Sequence, residues 1–164
     1  MPQYTYHRAS LSELTRIWEK DIAANAGDDR WLRWREEYIK NNQNGMAVTF
    51  VVCADSEPVG QGTLLLSPSC SAIGGRTDLA DGICVGNVNA LRIEKAHEGK
   101  GHISHMMTHL EAHARKLGLH ALTIGVEAKE TRNLAIYLHW GYTKLVRVEI
   151  EDGEHVLYYR KELV

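Results

Sequence analysis

Apolar positions along the chain recur with two periods. Over residues 4–9 they alternate with polar ones, as in a half-buried strand. After Ser10 they recur as Leu11, Leu14, Ile17 and Trp18, the spacing of one helix face, and Ser10 with Glu13 three residues on forms a capping box. Asp28-Asp29 opens a second helix carrying Trp31, Trp34 and Tyr38 at helical spacing, which ends in Asn41-Asn42-Gln43-Asn44-Gly45. Residues 47–54 and 59–66 read as strands joined by the turn Asp55-Ser56-Glu57-Pro58. Residues 67–81, with Pro68, Gly74 and Gly75, read as a loop whose length suggests a task of its own. A strand over 82–94 follows, then a helix over 101–117 closed by Gly118. A strand over 119–127, a helix over 131–139 and a hairpin of 142–150 with 156–161 around Asp152-Gly153 complete the chain.

The predicted order is β-α-α-β-β-β-α-β-α-β-β. Strands alternate with helices only in the second half, so the expected fold is α/β (α+β) with a mixed, mostly antiparallel sheet flanked by helices. No repeat or linker interrupts it, and 164 residues suit one domain over 1–164. With 44% apolar and 24% charged residues and a net charge of −2, the chain has no electrostatic footprint for nucleic acid. No segment approaches the roughly 20 apolar residues of a membrane span, and the N-terminus has no apolar signal core. Cys53, Cys70 and Cys84 are odd in number and lack metal-ligand spacing, which fits a reducing cytoplasm; Cys53, in an apolar run, reads as a core residue. Nothing in the sequence excludes a homodimer.

The chemistry concentrates in Leu91-Arg92-Ile93-Glu94-Lys95-Ala96-His97-Glu98-Gly99-Lys100-Gly101-His102-Ile103. A strand end, a glycine-bearing loop and a helix start follow one another there. Orphan N–H groups and the helix dipole make such a start a ready anion site, with Gly99 and Gly101 admitting a phosphate and Lys100 adding charge. Ile103, Met106, Met107, Leu110, Ala114 and Leu117 fall within roughly 100° of arc, so that face should be buried on the sheet. His102, His105, His109 and His113 form a ridge on the opposite face. Three of them have a spacing that could chelate a metal, but without a carboxylate or cysteine beside them they read as an exposed polar face, and no metal site is assigned.

In this stretch the sequence resembles the GCN5-related N-acetyltransferase family. That family has a strand ending L-x-V, then the acyl-CoA signature Q/R-x-x-G-x-G/A at a helix start. Leu91-Arg92-Ile93 matches the first, and Glu98-Gly99-Lys100-Gly101-His102-Ile103 lies in register with the second. A further family block ending A-x-x-L-Y-x-x-x-G-F is similar to Asn133-Leu134-Ala135-Ile136-Tyr137-Leu138-His139-Trp140-Gly141-Tyr142. The resemblance implies an acyl-CoA N-acyltransferase fold and transfer of acetyl from acetyl-CoA to a small amine or a peptide amine. It also implies that the backbone of Leu91, Arg92 and Ile93 holds pantetheine. Residues Glu98, Gly99, Lys100, Gly101, His102, Ile103 and Ser104 would hold the pyrophosphate, and Tyr137 would protonate the leaving thiolate.

The chain departs from the family pattern in several places. Glu98 replaces Gln or Arg, and Ile103 replaces Gly or Ala. Asn87 and Gly125 occupy the two familiar places of the general base, which leaves Glu127 as the nearest carboxylate to the second. Glu130 stands where the second block has Asn, and Asn133, one turn later, is the candidate to replace it. The stripe of Trp31, Trp34 and Tyr38 reads as core, but in this family the first two helices line the acceptor pocket, which would bring some of these rings to substrate; Asp78, Asp81, Glu149, Glu151 and Asp152 would suit a cationic acceptor if they met there. The alternative from another class is a non-catalytic acyl-CoA-binding or sensing module on the same fold.

Overall fold

The computed structural model describes every residue, Met1–Val164. The elements are β1 (Tyr4–Arg8), α1 (Leu11–Ala24), α2 (Arg30–Gln43), β2 (Ala47–Ala54), β3 (Glu57–Leu65), β4 (Val85–Ile93), a 3-10 turn (Lys95–His97), α3 (His102–Lys116), β5 (Ala121–Glu127), α4 (Thr131–His139), β6 (Lys144–Glu151) and β7 (Glu154–Glu162). This is the order expected from the sequence. The fold is mixed α/β, with seven strands hydrogen-bonded in the order β1-β2-β3-β4-β5-β7-β6. β4 and β5 run parallel, whereas β1–β2, β5–β7 and β6–β7 are antiparallel. The chain divides into two compact units: Met1–Leu64 with Ala90–Ala112, and Leu65–Asn89 with His113–Val164.

In the first unit, α1 begins where its capping box predicts. The Ser10 side chain accepts from the Glu13 N–H at 3.1 Å and Glu13 Oε1 from the Ser10 N–H at 2.9 Å. The other oxygen, Oε2, accepts from His7 at 2.7 Å and from the buried Cys53 thiol at 3.3 Å. Burial works against the charge on Glu13, yet these hydrogen bonds outweigh it and hold the carboxyl down at about 2. Burial, then Glu13 itself, pushes the Cys53 thiol up to about 12. α2 departs slightly from expectation: Asp29 makes no side-chain cap, and Asp28 Oδ1 accepts the Arg30 N–H instead.

β2 is buried along almost its whole length, as a continuous apolar strand covered on both faces should be. β3 joins it through Asp55-Ser56, both with positive φ, the geometry of a two-residue hairpin turn. On α3, Met106, Met107 and Leu110 are buried as the apolar arc predicts, while Ile103 is only half-buried. A Cβ on Gly62 would meet Leu110 and Leu91 at 2.9 Å and Met106 at 3.1 Å, so α3 sits down on β3 only because that position is glycine.

In the second unit, α3 ends at Lys116. Gly118 takes φ +81°, and Leu119 N–H reaches Ala114 O at 3.0 Å, a Schellman closure. Leu117 therefore leaves the arc and is 46% exposed, contrary to the sequence expectation. β4 starts at Val85 rather than residue 82 because Asp81 Oδ1 accepts the N–H groups of Ile83, Cys84 and Val85, tying that stretch into a turn. The loop over residues 67–81 contains neither helix nor strand, yet Cys70, Ile73, Leu79 and Ala80 are buried. β6 is inverted. Leu145, Val148 and Ile150 are exposed, while Arg147 and Glu149 turn inward to ion pairs with Asp78 and Arg76 of the loop.

No helix is long and apolar enough to cross a membrane.

Candidate functional site

β4 is broken in its middle. Its parallel ladder with β5 runs from Val85↔Ala121 to Val88↔Ile124 and stops there, although both strands continue. Two residues on, Ala90 takes φ +50°, a conformation that costs an L-residue energy and that marks a bulge here. Leu91, Arg92 and Ile93 follow the bulge and are half-buried, in contrast to the buried first half of the strand. Ordinary β pairing is thus interrupted at the stretch where the family resemblance implies a pantetheine arm.

The loop behind it turns through two glycines before α3. Gly99 and Gly101 take φ +76° and +81°, with nothing within 4 Å of where a Cβ would stand. His105 N–H bonds to Gly101 O at 3.1 Å, which makes Gly101 the residue before the first helical turn. That turn has no acidic residue, so nothing in it offsets the positive end of the helix dipole. Glu98 and Ser104 are exposed, so the Glu98 carboxylate is free to lie in solvent.

His102 overturns the expectation of an exposed histidine ridge. It is 6% exposed, and its Nδ1 lies 2.6 Å from the Tyr6 hydroxyl, 96 residues away in sequence. Its Nε2 is buried without a partner. Tyr4 completes the seam: its hydroxyl lies 2.8 Å from His97 Nδ1, it accepts from Lys100 Nζ at 3.1 Å, and its ring centroid is 4.1 Å from that of His102. Tyr6 also stacks on His109 and meets His105 at a tilt, with ring centroids at 5.6 and 5.1 Å. Burial, then the charges of His97, Lys100 and His105, lower the pKa of His102 and keep it neutral. The signal was present in the sequence: His102, His105 and His109 are spaced as a packed helix face, opposite the alternating Tyr4 and Tyr6.

The remaining predicted residues lie in the second unit. Tyr137 is half-buried on α4, 5.7 Å from the Trp140 ring; burial, then the charge of Glu130, raise its pKa, so the phenol stays protonated. Asn133 is exposed on the first turn of the same helix. The Glu127 carboxylate, 42% exposed, lies 3.6 Å from Lys129 Nζ. Asn87 is buried, donating to Thr123 Oγ1 at 3.0 Å and accepting from Asn89 at 3.2 Å. Gly125 is glycine for a steric reason: a Cβ there would stand 2.6 Å from the Tyr158 ring, so no carboxylate side chain could replace it. Several of the acids suggested for a cationic acceptor are already engaged. Asp78 pairs with Arg147, Glu149 with Arg76 and Arg147, and Glu151 accepts from Tyr158 at 2.6 Å.

Sequence reasoning missed a cluster around Arg92. Its Nε and Nη2 donate to Asp21 Oδ2 at 3.0 and 2.6 Å, and its guanidinium lies over the Trp18 and Trp31 rings at 4.6 and 5.2 Å. Of the aromatic stripe on α2, Tyr38 is core, Trp31 is half-buried, and Trp34 is 36% exposed beside Arg30.

Among solved structures the chain is similar to a protein of Desulfovibrio desulfuricans described as a GNAT-family acetyltransferase, with TM-score 0.76 and 12% identity over 99% of this chain and 100% of that one. It is also similar to yncA of Salmonella typhimurium, solved with its cofactor acetyl-CoA, with TM-score 0.71 and 17% identity over 98% and 94% of the two chains. An aminoglycoside 6'-N-acetyltransferase complexed with coenzyme A matches with TM-score 0.68 and 13% identity over 98% and 97%. No curated protein sequence matches the chain significantly. The model of the acetyltransferase (GNAT) family matches residues 11–142, most of the chain, which therefore belongs to that family.

Proposed function

We propose that the chain is an acetyl-CoA-dependent N-acetyltransferase acting as one domain over residues 1–164. The observation that carries this reading is the loop before α3: two left-handed glycines with open space where side chains would stand, at a helix start without a carboxylate in its first turn. In this reading the loop amides and Lys100 hold the pyrophosphate, and the strand after the Ala90 bulge holds pantetheine through its backbone. The acetyl-CoA and coenzyme A in the similar structures support the choice of co-substrate. None of the three cysteines forms a disulfide, which suits a reducing cytoplasm.

The neutral amine attacks the thioester carbonyl, a C–N bond forms and the C–S bond breaks. The thiolate takes a proton, giving an amide and free CoA thiol, and the nitrogen loses one proton. Tyr137, a phenol protonated at neutral pH and pushed further up by burial, supplies the first of these protons. Glu127 passes the second to solvent; its exposure and the Lys129 contact suit a relay better than a strong base. Positioning of the amine against the thioester supplies much of the acceleration.

Two measurements test this. Acetyl-CoA at a hundredfold excess over its dissociation constant should stabilise the fold by about 2.7 kcal/mol, and a melting curve unmoved at millimolar concentration would remove the acyl-CoA reading. Release of CoA thiol over a panel of amines then separates enzyme from binding module, since stabilisation without turnover is the signature of the latter. Once an acceptor is found, Tyr137→Phe should lower kcat by roughly 10²-fold while the acetyl-CoA KM and the melting temperature stay put. An undiminished kcat would remove Tyr137 as the acid.

A further inference from the structure

On β4, side chains alternate. Leu91 points to the face covered by α3, where it would meet a Cβ on Gly62 together with Leu110 and Met106, and Arg92 points to the opposite face, onto α1. There the guanidinium is held on three sides. Trp18 and Trp31 lie against it at 4.6 and 5.2 Å, and Asp21 Oδ2 takes its Nε and Nη2. The Nη1 group has no partner, Asp21 Oδ1 has none either, and the Arg92 side chain is 31% exposed. Behind the ion pair, Gln61 is fully buried with Nε2 3.5 Å from Asp21 Oδ2 and Oε1 unpaired, and the buried Trp18 Nε1–H is unpaired as well. Arg92 Nη1 is a donor left open to an accepting guest, whereas Asp21 Oδ1 and Gln61 Oε1 are acceptors that only a donor, such as an amine N–H, could serve.

A guanidinium presents its donors in planar forks, and each fork matches a carboxylate. Asp21 occupies the Nε/Nη2 edge through a single oxygen, leaving the Nη1/Nη2 edge as a second, pre-oriented fork. The two indoles prevent it from turning away. We propose that Arg92 is the acceptor-recognition residue and that it binds a carboxylate, so the acceptor is a carboxylate-bearing amine, an amino acid or short peptide. This rests on the acetyltransferase reading, which puts the thioester along Leu91, Arg92 and Ile93. A polyamine would need free acids, and Asp78, Glu149, Glu151 and Asp81 are all engaged by arginines, a tyrosine or backbone amides.

The test uses the common amino acids, each beside its own carboxamide, with spermidine as the cationic control. With acetyl-CoA present, kcat/KM for the preferred acid should exceed that for its amide by at least tenfold. Arg92→Gln should bring that ratio to near one, and Arg92→Lys should give an intermediate value because the charge remains and the fork is lost. Acid and amide used equally, spermidine preferred, or a ratio unmoved by Arg92→Gln would each overturn the assignment while leaving the enzyme intact. Binding of the N-acetylated acids and amides, followed by tryptophan fluorescence, reads the same discrimination without turnover. Absence of that discrimination overturns the carboxylate site even in a protein that transfers nothing. Should Arg92→Gln fold poorly with Asp21 unpaired, the double variant Asp21→Asn/Arg92→Gln removes the pair together and must abolish the discrimination too.

Discussion

Two seams, one in each unit, fasten a strand to its surroundings with different chemistry. In the first unit, Tyr4 and Tyr6 of β1 meet His97, His102, His105 and His109, joined by hydroxyl–imidazole bonds of 2.8 and 2.6 Å and by ring contacts. In the second, β6 meets its loop through Arg76, Asp78, Arg147 and Glu149, at 2.7 to 2.9 Å. In the aromatic seam the buried imidazole of His102 is held neutral, first by burial. The arginine seam is charged throughout the ordinary range: hydrogen bonds from Arg147 to Asp78 and Glu149 push the arginine still further up. The first should answer to protons and be indifferent to salt, and the second the reverse.

The largest effect expected from breaking this contrast is in the arginine seam. Arg76 is well covered, 16% exposed, and serves Glu149 at 2.9 Å as well as the carbonyls of Ala72 and Ile73. Arg76→Met should cost about 2 kcal/mol by urea denaturation, because it removes one of the two guanidinium partners of Glu149 together with the side-chain hydrogen bonds to two carbonyls. Adding Glu149→Gln should restore part of the loss, and a single variant of wild-type stability would show the pairs to be ornamental.

A smaller effect belongs to the aromatic seam. The folded pKa of His102 lies below its unfolded value, near 6.5, so the unfolded chain takes up the proton first. The stability this contributes is present above pH 6.5 and is lost as pH falls below it. Wild type should therefore lose stability between pH 7.5 and 5.5, and His102→Leu should lose less over the same interval. Parallel curves for the two proteins would deny the seam its pH response.

The smallest effect is that of salt. At 1 M the screening length shrinks to about 3 Å, and the half-exposed pairs of Arg147 should weaken slightly. Arg76→Met should show less of this dependence than wild type, and His102→Leu should show as much.

The same contrast explains what could be read from the sequence. Capping boxes, glycine closures and helical arcs depend on neighbours three to five residues apart, and these were legible: the Ser10–Glu13 box, the Gly118 closure and α4 over residues 131–139 lie where expected. The glycine loop before α3 was legible for the same reason. Tyr6 with His102, Arg92 with Asp21, and the Tyr158 ring over Gly125 are partnerships across 96, 71 and 33 residues, which no local spacing encodes. Leu117 failed as a core position because the arc was extended through a helix end, and the bulge at Ala90 was hidden because alanine is an unremarkable strand residue to read.

Gly60 on β3 carries a consequence for how this protein can vary. A Cβ there would stand 2.6 Å from Ile93 Cδ1, 2.7 Å from Val52 Cγ1 and 3.0 Å from the backbone oxygen of Arg92. The first two contacts could be relieved by side-chain motion, Val52 less readily because it is β-branched, but the third could be relieved only by moving the main chain. One methyl group on a neighbouring strand would thus shift the peptide that bears both the proposed pantetheine contacts and the Arg92 fork. Substitution at this position should select for changed kinetics in a protein that still folds, which makes a residue without a side chain a control point for the reaction's geometry.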